Sequence, residues 1–397
     1  MNLALIIEDH DAERIALLAE GEPTTYGELR SWAAIVRTRL AADGIGVNGR
    51  VVLACGNEPA FAPAALGVMG VGGVAVPVNP RSPLPELLSR IELVRPSALL
   101  VGPSMGWVLD HAAEVDVPLI DMTNLGEQLG DSPPIVERGD DDLAFMMLTS
   151  GVTGEPKAAM LSHGNLGWVQ ELTCDGGPDS MLANDVTLGV LPFAHIFGLN
   201  VVLLSSLRAG ATCVLQDRFD TDESLELVRR HCITRIAGVP PMWKRWAEAD
   251  VPDDTMASVV YAASGAATLP LAVFEAIRDR YGIAIAEGYG LTETSPIITN
   301  SRGITIKPTS VGQVVAGVEL ALVDPDGTPV DRGDVGEIVV RGPGIFAGYL
   351  DAPDITASVL TDDGWFWTGD VGVLDDDGYL FLVDRVKDLI IVSGFNV

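Results

Sequence analysis

Apolar positions recur at two periods along this chain. Tyr26 to Ala42, YGELRSWAAIVRTRLAA, carries apolar residues at helical spacing, with Thr24 or Thr25 placed to cap its start. Residues 64–71 and 84–94 read as further helices, set between short apolar runs at 51–54, 74–78 and 98–101 that read as strands. A second alternation follows, with pieces at 187–191, 199–208, 211–215, 224–230, 235–238 and 259–263. Helices between short Val/Leu-rich strands predict parallel sheets covered on both faces. Around Val311 the texture changes to strands joined by turn signals, Asp324-Pro-Asp-Gly327, Asp331-Arg-Gly-Asp334 and Asp375-Asp-Asp-Gly378. The expected fold class is α/β: two α/β subdomains with mainly parallel sheets, then a small antiparallel β-barrel or sheet.

Length and composition fit that outline. At 397 residues and 48% hydrophobic, the chain can bury a large interior divided among subdomains. Lys+Arg 25 against Asp+Glu 55 leaves a net charge of −30, which argues against nucleic-acid backbones and anionic membrane surfaces as partners. Any bound nucleotide must then be held by a local site working against the overall field. The four cysteines, Cys55, Cys174, Cys213 and Cys232, show no metal-binding spacing and read as small core hydrophobes in a reducing, cytoplasmic setting. The opening MNLALIIEDHDAE lacks a basic start and is not a signal peptide. Pro59 to Pro80 carries no charge, but its prolines and glycines suit a helix–turn–strand better than a membrane span.

One stretch carries distinct chemistry. Met147 to His163 reads MLTSGVTGEPKAAMLSH, entered through the apolar strand 143–148. Thr149, Ser150, Gly151, Thr153, Gly154 and Lys157 supply hydroxyls, a foldable backbone and one mobile positive charge, the parts of a polyphosphate cradle. The spacing Gly151-x-x-Gly154-x-x-Lys157 is not that of Walker A, which speaks against a P-loop ATPase. Further on, Glu287-Gly-Tyr-Gly-Leu-Thr-Glu-Thr294 offers an aromatic face for a base, a hydroxyl in Thr292 and a hard carboxylate, Glu293, suited to magnesium. Trp367-Thr-Gly-Asp370 places a carboxylate that can accept from two ribose hydroxyls. Asp384-Arg-Val-Lys-Asp388 lies close to the end.

The order TSGVTGEPK, LPFAHIFG, YGLTET, WTGD and DRVKD resembles the adenylate-forming superfamily, from Thr25-Tyr26-Gly-Glu-Leu29 through to Asn396. That resemblance implies an AMP-forming acid–thiol ligase using ATP, Mg2+ and coenzyme A. It implies an AMP-binding N-terminal domain over 1–384, with α/β subdomains to about 305 and the β-barrel subdomain from about 306. Residues 385–397 would hold the hinge at Lys387 and the first residues of a C-terminal lid, whose catalytic lysine has no counterpart here. Little overall activity is therefore expected of these residues alone. By the same resemblance the 149–157 loop grips the phosphates, and Gly265 and Ala266 pack on adenine beside Gly288 and Tyr289. Thr292 meets the α-phosphate, Glu293 the metal, and Asp370 and Arg385 the ribose. His195 orients the incoming carboxylate. Val152 and Ala158 depart from the usual family residues, which points to a weaker phosphate grip.

The acid pocket is expected at 193–200, 238–243, 262–267 and 288–291, with His195, Phe197, Gly198, Val239, Trp243, Ala263 and Gly265 as walls. These segments are apolar, with no Asp to face an amino group and no arginine for a second carboxylate, which disfavours amino acids and dicarboxylates and points first to a fatty acid. An aryl-acid CoA ligase, a fatty acyl-AMP ligase and a non-catalytic nucleotide-binding module are the alternatives.

Overall fold

The computed structural model describes residues 1–125, 132–150, 156–385, 391–392 and 395–396. Two large sheets dominate. The first has nine strands in the order Gln313–Val314, Thr299–Asn300, Ile285–Tyr289, Tyr261–Ser264, Arg235–Gly238, Val186–Gly189, Thr212–Leu215, Ile15–Ala19 and Glu22–Thr25. Its central pairs are parallel, and antiparallel pairs close both edges. The second has six strands in the order Leu119–Asp121, Ala98–Val101, Arg50–Ala54, Val74–Pro77, Leu143–Ser150 and Pro156–Ser162. All of its pairs are parallel except the last, a hairpin. A four-stranded antiparallel sheet, Glu319–Val323, Gly336–Arg341, Phe366–Leu374 and Leu380–Arg385, follows in chain order.

Local chemistry explains the elements. The Thr25 side chain accepts from Glu28 N, and Glu28 reciprocates to the Thr25 backbone, so a capping box starts the helix Tyr26–Ala42. The uncharged stretch at 59–80 becomes the helix Phe61–Gly70 and the strand Val74–Pro77, both fully buried between layers. Among the described residues no helix is long and apolar enough to cross a membrane. Cys55 and Cys213 are core residues as expected, whereas Cys232 is exposed at the left-handed end of the helix Thr221–His231.

The helix expected over 199–208 is a π-helical stretch, Phe197–Leu204, running into the α-helix Ser205–Ala209. Buried Asn200 accounts for the widened turn. Its amide donates to Leu166 O and Ser295 O and accepts from Gln170 Nε2, while its carbonyl takes the Ser205 hydroxyl. Such widened turns are frequent at functional sites.

Candidate active site

A cavity of about 1060 Å³ opens at the carboxyl ends of the central strands Tyr261–Ser264 and Ile285–Tyr289. This is where open α/β sheets present their ligands. Thr149, Lys157, His195, Phe197, Ala263, Gly265, Ala266, Gly288, Tyr289, Thr292, Glu293 and Asp370 all line it. Motifs separated by more than 200 residues thus converge on one space.

The 143–162 hairpin supplies the phosphate end. Thr149 and Lys157 are cross-strand partners of this hairpin, and both line the cavity. Gly151, Thr153 and Gly154 lie outside the described residues, as do Lys387 and the side chains of Ser150 and Arg385. Ala158, one of the two family departures, is fully buried in the core behind this hairpin. Residues 347–350 run along the hairpin's outer strand through Ala347 N to Met160 O and Leu350 N to Ala158 O. That pairing delivers Tyr349, which the sequence reading missed. Its hydroxyl donates to Glu293 Oε1 at 2.6 Å, and Lys157 Nζ stands 5.2 Å from its ring centroid. Burial, reinforced by the neighbouring Glu293 charge, pushes the Tyr349 phenol well above its ordinary range, so it remains a donor. Alternation along 347–350 against the hairpin was the available signal, and only the fold reveals that pairing.

Glu293 sits in a short 3-10 turn, Thr292–Thr294, and is 8% exposed. No cluster of three metal-binding side chains occurs among the described residues. A single buried carboxylate is what magnesium asks for when phosphate oxygens and water complete its shell, so the residues present fit that ion.

The nucleoside end is built from the neighbouring strands. Beyond Ser264 the chain turns at Ala266, whose φ of +66° is uncommon for a residue with a Cβ and places Gly265 and Ala266 along the cavity wall. Tyr289 donates its hydroxyl to Asp370 Oδ2 at 2.8 Å, which joins the expected base-stacking and ribose groups into one unit. Ser264 Oγ is buried with no hydrogen-bond partner among the described residues, a donor on a residue that lines the cavity. Glu287 and Glu337 also line the cavity and were not foreseen. Burial raises both carboxyl pKa values, Glu287 while accepting from Leu269 N and Glu337 while accepting from Gly369 N. Among the described residues Lys157 is the sole lysine or arginine of this wall, facing Glu287, Glu293, Glu337 and Asp370. A polyphosphate therefore needs a metal cation there.

At the acid end, His195 is exposed to the cavity, and crowding by protein draws its pKa down, keeping the imidazole neutral near pH 7. The loop that carries it is pegged by Asn57. Asn57 Oδ1 accepts from Phe193 N at 2.9 Å, and its Nδ2 donates to Gly189 O and Leu191 O at 3.0 and 2.9 Å. A Cβ on Gly265 would lie 3.1 Å from the Phe197 ring, so the glycine lets that ring pack closely against the cavity wall.

Of the expected pocket wall, Gly198, Val239 and Trp243 are placed away from this cavity. A Cβ on Gly198 would lie 2.5 Å from Pro192 O, so this glycine serves a close backbone approach. Val239 caps the helix Pro240–Glu248 and packs against the core. Trp243 is fully buried against Trp246, with Nε1 donating to Ala263 O at 3.2 Å, and helical spacing turns it behind the sheet instead of into the pocket.

A protein-family model described as AMP-binding enzyme matches residues 7–350. Feruloyl-CoA synthase from an Amycolatopsis species is 35% identical over 388 residues, covering 95% of this chain and 76% of that protein. 4-Coumarate–CoA ligase 5 from Oryza sativa subsp. japonica is 33% identical over 398 residues, covering 96% and 74%. Among solved structures, ATP-bound MatB from Rhodopseudomonas palustris superimposes with a TM-score of 0.92 at 32% identity, covering all of this chain and 81% of that one. With the family model spanning most of its length, the chain belongs to the AMP-binding enzyme family.

Proposed function

We propose that this protein activates an aryl carboxylic acid with ATP, forming an aryl-acyl adenylate that is then passed to the thiol of coenzyme A. The observation that carries the aryl reading is the acid end of the cavity, where the rings of Phe197 and Tyr261 line the wall beside the small residues Ala263 and Gly265. Flat rings pack well in such a space, and offset or edge contacts with aromatic walls favour them further. Relatives named for feruloyl and 4-coumarate thioesters support the same choice, so the fatty acid expected first gives way to the aryl alternative.

The chemistry joins two anions. The acid's carboxylate attacks the α-phosphorus in line and pyrophosphate leaves, so the site must hold both partners and offset developing charge. Lys157 and Thr149 lie where the β- and γ-phosphates would rest. Thr292 offers its hydroxyl to the α-phosphate. Magnesium, when bound, would neutralise phosphate charge, and Glu293 is the carboxylate that would hold it. His195, neutral at pH 7, donates an N–H to the acid without adding charge. Tyr289 and Asp370 hold base and ribose, with Gly265 and Ala266 as the facing strip.

The reading is tested by thermal-shift titration with sulfamoyl-linked adenylate analogues of aryl and alkyl acids. A ligand at 100-fold its dissociation constant stabilises by roughly 2.7 kcal/mol. Cinnamoyl analogues should reach that plateau at lower concentration than octanoyl or palmitoyl ones. The reverse order would return the acid to the alkyl class.

A further inference from the structure

Behind the acid end of the main cavity lies a second, smaller one of about 60 Å³. Val201, Tyr261, Ala263, Ile297 and Asn300 line both, so the small chamber is walled by the floor of the large one. Strand register explains the placement. Thr187, Arg235 and Tyr261 are in register across three adjacent parallel strands, and Ala237 and Ala263 form the next small-residue row. Alternate residues of a strand share a face, so Tyr261 and Ala263 lie on one side of the sheet. The path from Gly265 down to Tyr261 covers four residues, roughly 13 Å at about 3.3 Å each, the reach of a ring with a short carboxylate arm and a distal substituent.

The chamber is apolar except for a few groups. Thr187 is 2% exposed, and its Oγ1 has no hydrogen-bond partner among the described residues. A buried hydroxyl left unmatched is costly, which marks it as reserved for something absent from the protein itself. The Tyr261 phenol is kept protonated by burial and can donate. The Arg235 guanidinium lies 4.4 Å from the Tyr261 ring centroid and donates to Asp179 O, Ser180 O and Asp185. Arg302 is committed likewise to Asp175, Leu172 O and Thr173 O. Positive charge near the chamber is thus already matched by carboxylates, and a second carboxylate from a ligand would meet no free cation there.

We infer that the acid site is bipartite: the substrate's ring passes the Ala263 neck, and a neutral oxygen at its far end, hydroxyl or methoxy, is read by Thr187 and Tyr261 in this chamber. The inference rests on the aryl-acid reading above. It makes Thr187 and Tyr261 specificity determinants and excludes dicarboxylic aryl acids.

The test is calorimetric titration with sulfamoyl adenylate analogues of cinnamate bearing hydrogen, hydroxyl, methoxy or carboxylate at the ring position opposite the side arm. The unmodified protein should bind the hydroxyl and methoxy analogues about 10-fold more tightly than the unsubstituted one, and the carboxylate analogue most weakly. Thr187→Val and Tyr261→Phe should each reduce that preference about 5-fold, since each removes one neutral hydrogen bond. Thr187→Val also removes an unmatched buried hydroxyl, so it should fold at least as well as the parent. Equal binding of the hydroxyl and unsubstituted analogues, or a preference untouched by both substitutions, would overturn the bipartite site while leaving the aryl reading intact. Tight alkyl analogues beside weak cinnamoyl ones would instead overturn the aryl reading, and this inference with it.

Discussion

Asn57 offers a sharp test of how the fold holds His195. It is 5% exposed, and its amide reaches three backbone groups of the segment that leads into the His195 loop. In Asn57→Ala, Gly189 O keeps a second partner in Gln216 N, but among the described residues no other donor or acceptor serves Leu191 O or Phe193 N. Two buried backbone groups are then orphaned, each at about 1–3 kcal/mol, so the loss should be about 3 kcal/mol. Asn57→Asp is the harsher probe. It keeps the acceptor for Phe193 N, loses both donations and adds charge beside Glu58 and Asp217, whose carboxylates already crowd this corner. Chemical denaturation of parent and variants reads the stability. Titration of a cinnamoyl adenylate analogue reads the site, where a loosened His195 loop should weaken binding about 10-fold while ATP affinity changes less. An Ala variant of parental stability and parental affinity would refute the peg.

His163 sets a pH response: its Nδ1 accepts from Leu3 N, and burial, with Arg138 adding, draws its pKa from 6.5 to about 4. Because the folded value lies below the unfolded one, stability is full above pH 6.5 and falls as pH drops towards 4, by about 3 kcal/mol in all. Denaturation curves of the parent and His163→Gln should converge across that window, and parallel pH profiles would exclude the residue. Glu293→Gln should abolish the extra thermal stabilisation that magnesium adds to ATP, measured against EDTA, while a retained magnesium increment would remove the metal assignment. Gly265→Ala should weaken cinnamoyl-analogue binding about 5-fold by pressing on Phe197, and Phe197→Ala should weaken it by removing the aromatic wall, with the double variant losing less than the two effects combined. Additive effects would show that the two residues do not act on the acid through their contact.

Much of this architecture was legible in the chain because local rules and tertiary context agree. The helix Tyr26–Ala42 begins at its capping box, and the strands Ala98–Val101 and Arg235–Gly238 match their apolar runs. The candidate nucleotide residues could be picked out because they sit in compact motifs, which the fold then brings to one cavity. Sequence spacing carries less about what a side chain faces once the helix is docked. Trp243 looked like a pocket wall because it lies between candidate segments, but its helix turns it into the core. Tyr349 and Thr187 were invisible for the opposite reason. One reaches the site through pairing with a hairpin nearly 200 residues away, and the other is an ordinary strand threonine until its unmatched hydroxyl is seen. The acid's class is the hardest to read, since apolar walls suit chains and rings alike.

The central claim is that this cavity makes aryl-acyl adenylates, and one competition measures it directly. The protein, at stoichiometric concentration with ATP and magnesium, is given an equimolar mixture of 4-coumarate, ferulate, octanoate and palmitate, and acyl-adenylates are quantified by mass spectrometry. The account predicts coumaroyl and feruloyl adenylates at least 10-fold above the alkyl species, and loss of all of them in Glu293→Gln. Alkyl adenylates in excess would contradict it.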